Sequence, residues 1–400
     1  MMLDGLRCGE RLSKEVFEEI KRRSVRDAFK WNITDGGTDK LCDFPLVLER
    51  SSWRLLSELA VKLSTEAELA EAELAARPVL TAALGIPWRL QLALHRSPAT
   101  PSLRYSRFDF HPTVDGDIAI TEGNLDVAAG WNEGSGVAAL FADHVRDAVI
   151  AGDPAARLAM RLAERIGVGG TVGIMHLTRY TDDHQVARFL AAAFERHGLE
   201  VVLFDPTQLR SAGGRAGALV GDRVCPLEAV FRFFPAEWSC RLDNPREWFE
   251  AAQRPGTIWL NPLSTVFTQS KRFPLTWRFL RTTLPTWSRL LPETRSPLFV
   301  RRNNWVLKPA FGHEGYQVAI PGTTSPARVR TLWRSARQRP WRWAAQRNFS
   351  AKSIDTPRGP RFPCVGVHVV DGEACGLYGR LSERPLIDDT SQDAIVLVRR

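Results

Sequence analysis

The 400-residue chain has few cysteines, and none is spaced to work with another. Cys8, Cys42, Cys225, Cys240, Cys364 and Cys375 are scattered with no CxxC pair, which argues against a zinc ribbon or a disulfide framework and favours reduced thiols in a cytoplasm. No apolar run approaches the roughly 18 residues of a membrane span, and the charged start (Asp4, Arg7, Glu10, Arg11, Lys14) does not read as a secretory signal. The eight histidines show no HxH or HExxH spacing, which makes a histidine metal centre an unlikely expectation. Repeats and low-complexity tracts are missing as well. Lysine is scarce, with eight residues against 46 arginines at a net charge of +9. The arginines run along the whole chain without a block, so a solvated surface is expected rather than a nucleic-acid groove. A local site for a polyanion such as ATP is the second reading. Where arginine is the habitual cation, lysines such as Lys271 and Lys308 invite an explanation, because an ammonium and a guanidinium do different jobs.

What is present is ordinary globular composition, 44% hydrophobic and 25% charged, at a length that suggests two or three domains around a shared cleft. Residues 1–100 read as a helical N-terminal region, with an amphipathic stretch from Trp53 to Ala76 that ends before Pro78. Residues 101–166 read as an acidic hairpin followed by a helix over Ala138 to Ile166. Residues 167–256 contain a βαβ-like unit: strand Thr171 to Leu177, helix Thr181 to His197, strand Leu199 to Phe204. It lacks the GxGxxG turn of a dinucleotide site. Residues 257–400 read as strands broken by loops (Ile258–Leu260, Trp305–Pro309, Gln317–Ile320, Trp343–Gln346, Val365–Val370, Ala374–Tyr378), with helices over Phe273–Leu284 and Pro326–Gln338. The fold class is therefore α/β or α+β with several mixed sheets.

The segment RYSRFDFHPTVDGDIAITEGNLD is the most informative. Asp115-Gly116 between alternating runs is a hairpin signal, and a two-residue turn there sets Asp109 opposite Glu122 and Arg107 opposite Asn124. Two carboxylates facing each other on one sheet face repel, and a hard cation such as Mg²⁺ would resolve the conflict. A solvated face with Arg107 neutralising Asp109, or a one-residue bulge that breaks the register, reads the same residues without a metal. A carboxylate pair of this kind also serves glycosidases, but the close spacing and the adjoining arginine suit a metal better.

In NNWVLKPAFGHEGYQVAI, Lys308 ends an apolar strand and Gly312 and Gly315 open the loop that follows, a pattern that lets backbone N–H groups approach phosphate. A plain hairpin with two turn glycines looks the same. Lys271 follows IWLNPLSTVFTQS, Gln346 ends the strand WRWAAQ, and Arg380 follows the Asp371-Gly372 hairpin. Alone, Lys271 also reads as a helix-start lysine, and Gln346 and Arg380 as surface residues.

In order, RFD, E-G-N, S-K, K-P-x-x-G-x-x-G, Q and a near-terminal G-R resemble the glutathionylspermidine synthase type of ATP-grasp ligase, whose parts are circularly permuted. The resemblance covers roughly residues 100–400 and implies an ATP-grasp fold. It also implies that Arg107 and Asp109, with Glu122 and Asn124, hold Mg²⁺–ATP, the metal falling to Asp109, Glu122 and Asn124. Lys271, Lys308, the loop Gly312 to Tyr316 (Gly312, Gly315, Tyr316) and Gln346 match the ATP-binding positions, and Arg380 matches the arginine at the reacting centre. Residues 1–100 are too short and helical for the family's cysteine amidase. The stretch LDVAAGWNEGSG does not reproduce its substrate loop, and Glu237 in VFRFFPAEW is only loosely similar to an acidic substrate-site element. Glutathione and spermidine are accordingly not implied as substrates.

The reaction that the resemblance implies is ATP-dependent: a carboxylate and ATP give an acyl phosphate, which an amine attacks to form an amide. Mg²⁺ is the expected cofactor, and a small-molecule or peptide acid and an amine are the expected partners, with neither nucleic acid nor membrane. Two alternatives remain at this stage: a phosphotransferase of the same fold, and a non-catalytic arginine-rich binding protein.

Overall fold

The computed structural model describes residues 5–96, 101–312, 315 and 317–400. An antiparallel five-stranded sheet forms its centre, in the order Gln392–Asp393, Glu373–Ser382, Phe362–Val370, Tyr105–Pro112, Ile118–Asn124. Alternation along the strands divides its side chains sharply. Phe108, Phe110, Val365, Val367, Val369, Leu377 and Leu381 belong to one buried core, against which the helix Arg50–Ala75 packs. That helix supplies Leu56, Leu59, Ala60, Leu63, Ala67, Ala70 and Leu74, the spacing of a single apolar stripe. In the intervening positions stand Arg107, Asp109, His111, Tyr378 and Arg380.

Two further layers frame this polar face. A parallel sheet, Ile258–Leu260, Ala229–Phe233, Thr171–His176 and Glu200–Phe204, carries the crossover helix Thr181–Arg196 that the sequence pattern leads one to expect. A small antiparallel sheet of Thr294–Arg295, Trp343–Arg347 and Trp305–Pro309 rests on the helix Pro326–Gln338. Trp305, Leu307, Trp343 and Ala345 share a core with Leu332, Trp333 and Ala336 of that helix. The alternating positions Lys308, Ala344 and Gln346 are thereby turned the other way.

The Asp371-Gly372 turn is a two-residue hairpin, with Val370 opposite Glu373 and positive φ at both turn residues (50° and 79°). Three expectations are corrected. The helix expected over Ala138 to Ile166 is broken into Ala138–Ala142, a short strand Ala148–Val149 and Pro154–Ile166. Asp153 starts the last piece by accepting from the Ala156 N–H, and Pro154 takes the first turn, where its missing N–H costs nothing. Residues Phe273–Phe279 form a 3₁₀ segment rather than an α-helix, with Pro285 opening the next helix. Gln317 adopts φ 64°, so only a single bridge, Leu307 to Ala319, forms where a strand was expected. Alternation also gave no sign of a meander of Leu209–Ala212, Arg215–Val220 and Arg223–Pro226. All six cysteines are free thiols, and among the described residues no helix is long and apolar enough to cross a membrane.

Candidate active site

The acidic hairpin keeps the expected register at its open end, where Arg107 faces Asn124 and Phe108 faces Gly123. Nearer the turn it slips by one residue, with Phe110 facing Ile120. Asp109 therefore lies opposite the two-residue step Thr121-Glu122, a bulge. The turn is also longer than two residues: the Thr113 N–H donates to the Asp117 carbonyl, and Gly116 takes φ 84°.

Arg107 forks onto Asp109, Nε to Oδ1 at 2.7 Å and Nη2 to Oδ2 at 2.9 Å, while its Nη1 donates to the Ala129 carbonyl at 2.6 Å. The Asn124 amide donates to Asp109 Oδ2 at 3.0 Å. The pair lies over Gly366 on the neighbouring strand, where an added Cβ would stand 2.8 Å from Asp109 Oδ1 and 2.9 Å from Arg107 Cδ. Burial opposes the Arg107 charge, but Asp109 outweighs it and holds the guanidinium firmly protonated.

Thr121 marks the floor of a narrow cleft whose walls include Glu122, Gln269, Lys271, Lys308, Ala344 and Gln346. Lys271 pairs with Glu122 at 2.9 Å and donates to the Gly312 carbonyl at 3.1 Å. Lys308 donates to the Thr121 carbonyl at 3.0 Å, which Gln346 Nε2 also approaches at 3.4 Å. Burial lowers the Lys308 pKa to about 8; Glu122 pulls it up and Lys271 pushes it down. The two lysines, 37 positions apart in sequence, thus line one space. His111 is buried on the same sheet face as Asp109: burial lowers its pKa to about 4, and the charges of Asp109, Lys308 and Glu122 all reach it.

Arg380 is mostly buried, its Nη2 donating to the Asp388 carbonyl at 2.6 Å and the Ser391 carbonyl at 3.1 Å, with Nε 4.0 Å from Asp393. Glu383 pairs instead with Arg361. Between the two arginines stands Tyr378, its ring 4.6 Å from the Arg107 guanidinium carbon and its hydroxyl donating to Asp393 at 2.9 Å. Cys364 senses both ends, since burial first and then Asp109 raise its thiol pKa while Arg107 and Arg380 lower it. Glu237 is buried in the 3₁₀ turn Ala236–Arg241 and does not line the cleft. Tyr316 and His313 lie outside the described residues.

As a metal site the hairpin offers oxygen donors only, Asp109, Glu122 and the Asn124 amide, which is the donor set of a hard cation. Among the described residues no three His, Cys, Asp or Glu side chains gather into a site of their own. Arg107 and Lys271 currently offset the two carboxylates.

Over residues 21–396 the sequence matches the model of the glutathionylspermidine synthase preATP-grasp family. The chain belongs to that family. Among solved structures, it resembles a glutathione synthetase-like effector from Globodera pallida in its apo form, with TM-score 0.64 at 12% identity over 97% of this chain and 98% of that one. That likeness shows the fold alone. A putative gamma-glutamylcysteine synthetase from Methylobacillus flagellatus KT overlaps 80% of this chain and 86% of its own, with TM-score 0.44 at 14% identity. No curated protein matches.

Several residues of this family member escaped the sequence reading because they are buried charges far apart in the chain. Lys30, almost fully buried, is paired with Glu133 and donates to Asp393 at 2.8 Å. Asp393 and Glu133 outweigh burial and keep the ammonium charged. Asp126, two residues beyond Asn124, accepts from Arg232, from the Ala236 N–H at 2.9 Å and from the Thr265 hydroxyl at 2.8 Å. The Gln269 side-chain oxygen Oε1 accepts from the Leu125 and Asp126 N–H groups at 2.7 and 3.0 Å. The continuation of E-G-N into L-D was the available signal for Asp126.

Proposed function

We propose that this protein is a cytoplasmic ATP- and Mg²⁺-dependent ligase that joins a carboxylate to an amine through an acyl phosphate. The observation that carries the reading is the meeting of Lys271, Lys308, Gln346 and Glu122 in one cleft, one bulge away from the Arg107–Asp109–Asn124 cluster, in a chain of this family. Lys308 and Lys271 would hold phosphoryl oxygens, and the Gln346 amide would meet an adenine edge. Gly312 and Gly315 would let backbone N–H groups approach the phosphates. Asp109, Glu122 and Asn124 would hold Mg²⁺, which when bound neutralises phosphate charge.

Arg107, fixed in place by Asp109, would hold the carboxylate in line with the transferred phosphoryl group, lowering the entropic cost of the encounter. Arg380, held by two carbonyls, would meet charge as it builds on the phosphoryl oxygens. The partners in this reading are a small-molecule or peptide acid and an amine. Residues 257–400 would carry the nucleotide and 167–256 the substrate side, with the hairpin of 101–166 closing one wall of the cleft.

The test is a panel of acids and amines with the purified protein, ATP and Mg²⁺, reading ADP and product mass, with one acid labelled with ¹⁸O at its carboxylate. A ligase of this kind requires acid and amine together and passes one label into phosphate. ADP with a stable phosphorylated product and no amide would instead establish a phosphotransferase.

A further inference from the structure

The small sheet that turns Lys308 and Gln346 toward the cleft is backed on its other face by Pro326–Gln338, and the outer side of this helix has a separate feature. A groove of about 260 Å³ is lined by Arg302, Arg330, Arg334, Arg337 and Gln338. Arg330, Arg334 and Arg337 follow one another at helical spacing, opposite the buried Leu332, Trp333 and Ala336. They form a stripe about 10 Å long at 1.5 Å rise per residue. Arg302 comes from the loop before the Trp305–Pro309 strand, so two elements contribute guanidinium groups to one concave surface.

Among the described residues none of the four is paired with a carboxylate. For the three helix arginines the surrounding sequence offers none: residues 315–354 contain seven arginines and one lysine and no Asp or Glu. Elsewhere the arginines are commonly paired with acids, as Arg104 is with Glu71, Arg165 with Asp371 and Arg361 with Glu383. Like charges four residues apart destabilise a helix, so folding does not favour the stripe. Uniform scatter along the sequence therefore gives a misleading picture of the surface.

We infer that this groove is a binding site for a compact polyphosphate anion, separate from the nucleotide cleft. Planar guanidinium forks match phosphate oxygens two at a time, and four of them around one concavity offer more charge than a single phosphate requires. Among the described residues no aromatic side chain lines the groove, so they offer no stacking platform of the kind single-stranded nucleic acid uses. The site does not depend on the ligase reading.

The experiment is calorimetric titration of the full chain with inorganic triphosphate at two ionic strengths. Binding is expected, weaker at the higher salt, and about 100-fold weaker in Arg330→Ala/Arg334→Ala. It should persist in Lys308→Ala, which separates the groove from the cleft. Arg330→Lys/Arg334→Lys should recover only part of the loss, because an ammonium cannot fork. Unchanged affinity in the double alanine variant, or loss of all binding in Lys308→Ala, would overturn the inference. So would a single-stranded oligonucleotide that binds more tightly than triphosphate and depends on the same two arginines, since the occupant would then be nucleic acid.

Discussion

Replacing Lys308 by methionine should move stability and nucleotide affinity in opposite directions. In the folded protein burial holds the Lys308 pKa at about 8 against an ordinary 10.5. The unfolded chain therefore binds more protons than the folded one between those values, and stability rises with pH across that window. Below pH 8 the buried ammonium costs about 3 kcal/mol, at about 1.4 kcal/mol per tenfold change in proton affinity. Methionine fills a similar volume without the charge. It forfeits the hydrogen bond to the Thr121 carbonyl, worth about 1 kcal/mol, although Gln346 still approaches that oxygen. Ligand-free Lys308→Met should thus be about 2 kcal/mol more stable at pH 7, and the gap should close as pH approaches 10.5. Denaturant midpoints of both proteins across pH 6.5–10.5 measure this. In the same variant, calorimetry should show ATP binding weakened about 100-fold, since a charge-assisted contact to phosphate is gone. A variant less stable at pH 7, a gap that ignores pH, or unchanged ATP affinity would refute the account of a lysine retained for its ligand.

Gly366→Ala should lower turnover by an order of magnitude or more with about 1–2 kcal/mol lost in stability, because its Cβ displaces the Arg107–Asp109 pair; normal steady-state rates would show that the pair can shift harmlessly. Lys30→Met should destabilise the fold by about 3–5 kcal/mol in chemical denaturation, since Glu133 and Asp393 lose their shared cation. Adding Glu133→Gln should recover part of that loss, and no recovery would place the damage elsewhere. Arg380→Lys should reduce kcat about 100-fold while changing ATP affinity less than threefold, as an ammonium cannot span the Asp388 and Ser391 carbonyls and still reach the phosphoryl group. Near-normal turnover would withdraw Arg380 from the reaction.

Local chemistry explains which features could be read in advance. Period-two alternation and Asp-Gly turns marked the hairpin and the strand pair that carries Arg380, and apolar periodicity marked Arg50–Ala75 to within a few residues. The bulge at Thr121-Glu122 was not legible, because nothing in an alternating pattern says where one strand gains a residue. Proline positions decided the broken helices at Pro154 and Pro285, where apolar spacing alone suggested continuity. Neither Lys30–Asp393 nor Arg232–Asp126 could be paired from sequence, since each contact joins residues more than a hundred positions apart and each partner alone looks like a surface charge.

The central sheet has a consequence for how the protein is made. The hairpin Tyr105–Asn124 hydrogen-bonds on one side to Phe362–Val370, a strand that leaves the ribosome more than two hundred residues later. Until then the Tyr105–Pro112 strand presents an open edge, with Phe108 and Phe110 facing the place where the core will close. Contacts so distant in the chain form late and leave time for wrong pairings. A chain truncated before residue 362 should therefore keep its first half of the cluster, Arg107, Asp109, Glu122 and Asn124, yet assemble into aggregates through that uncovered strand rather than persist as a weakened enzyme.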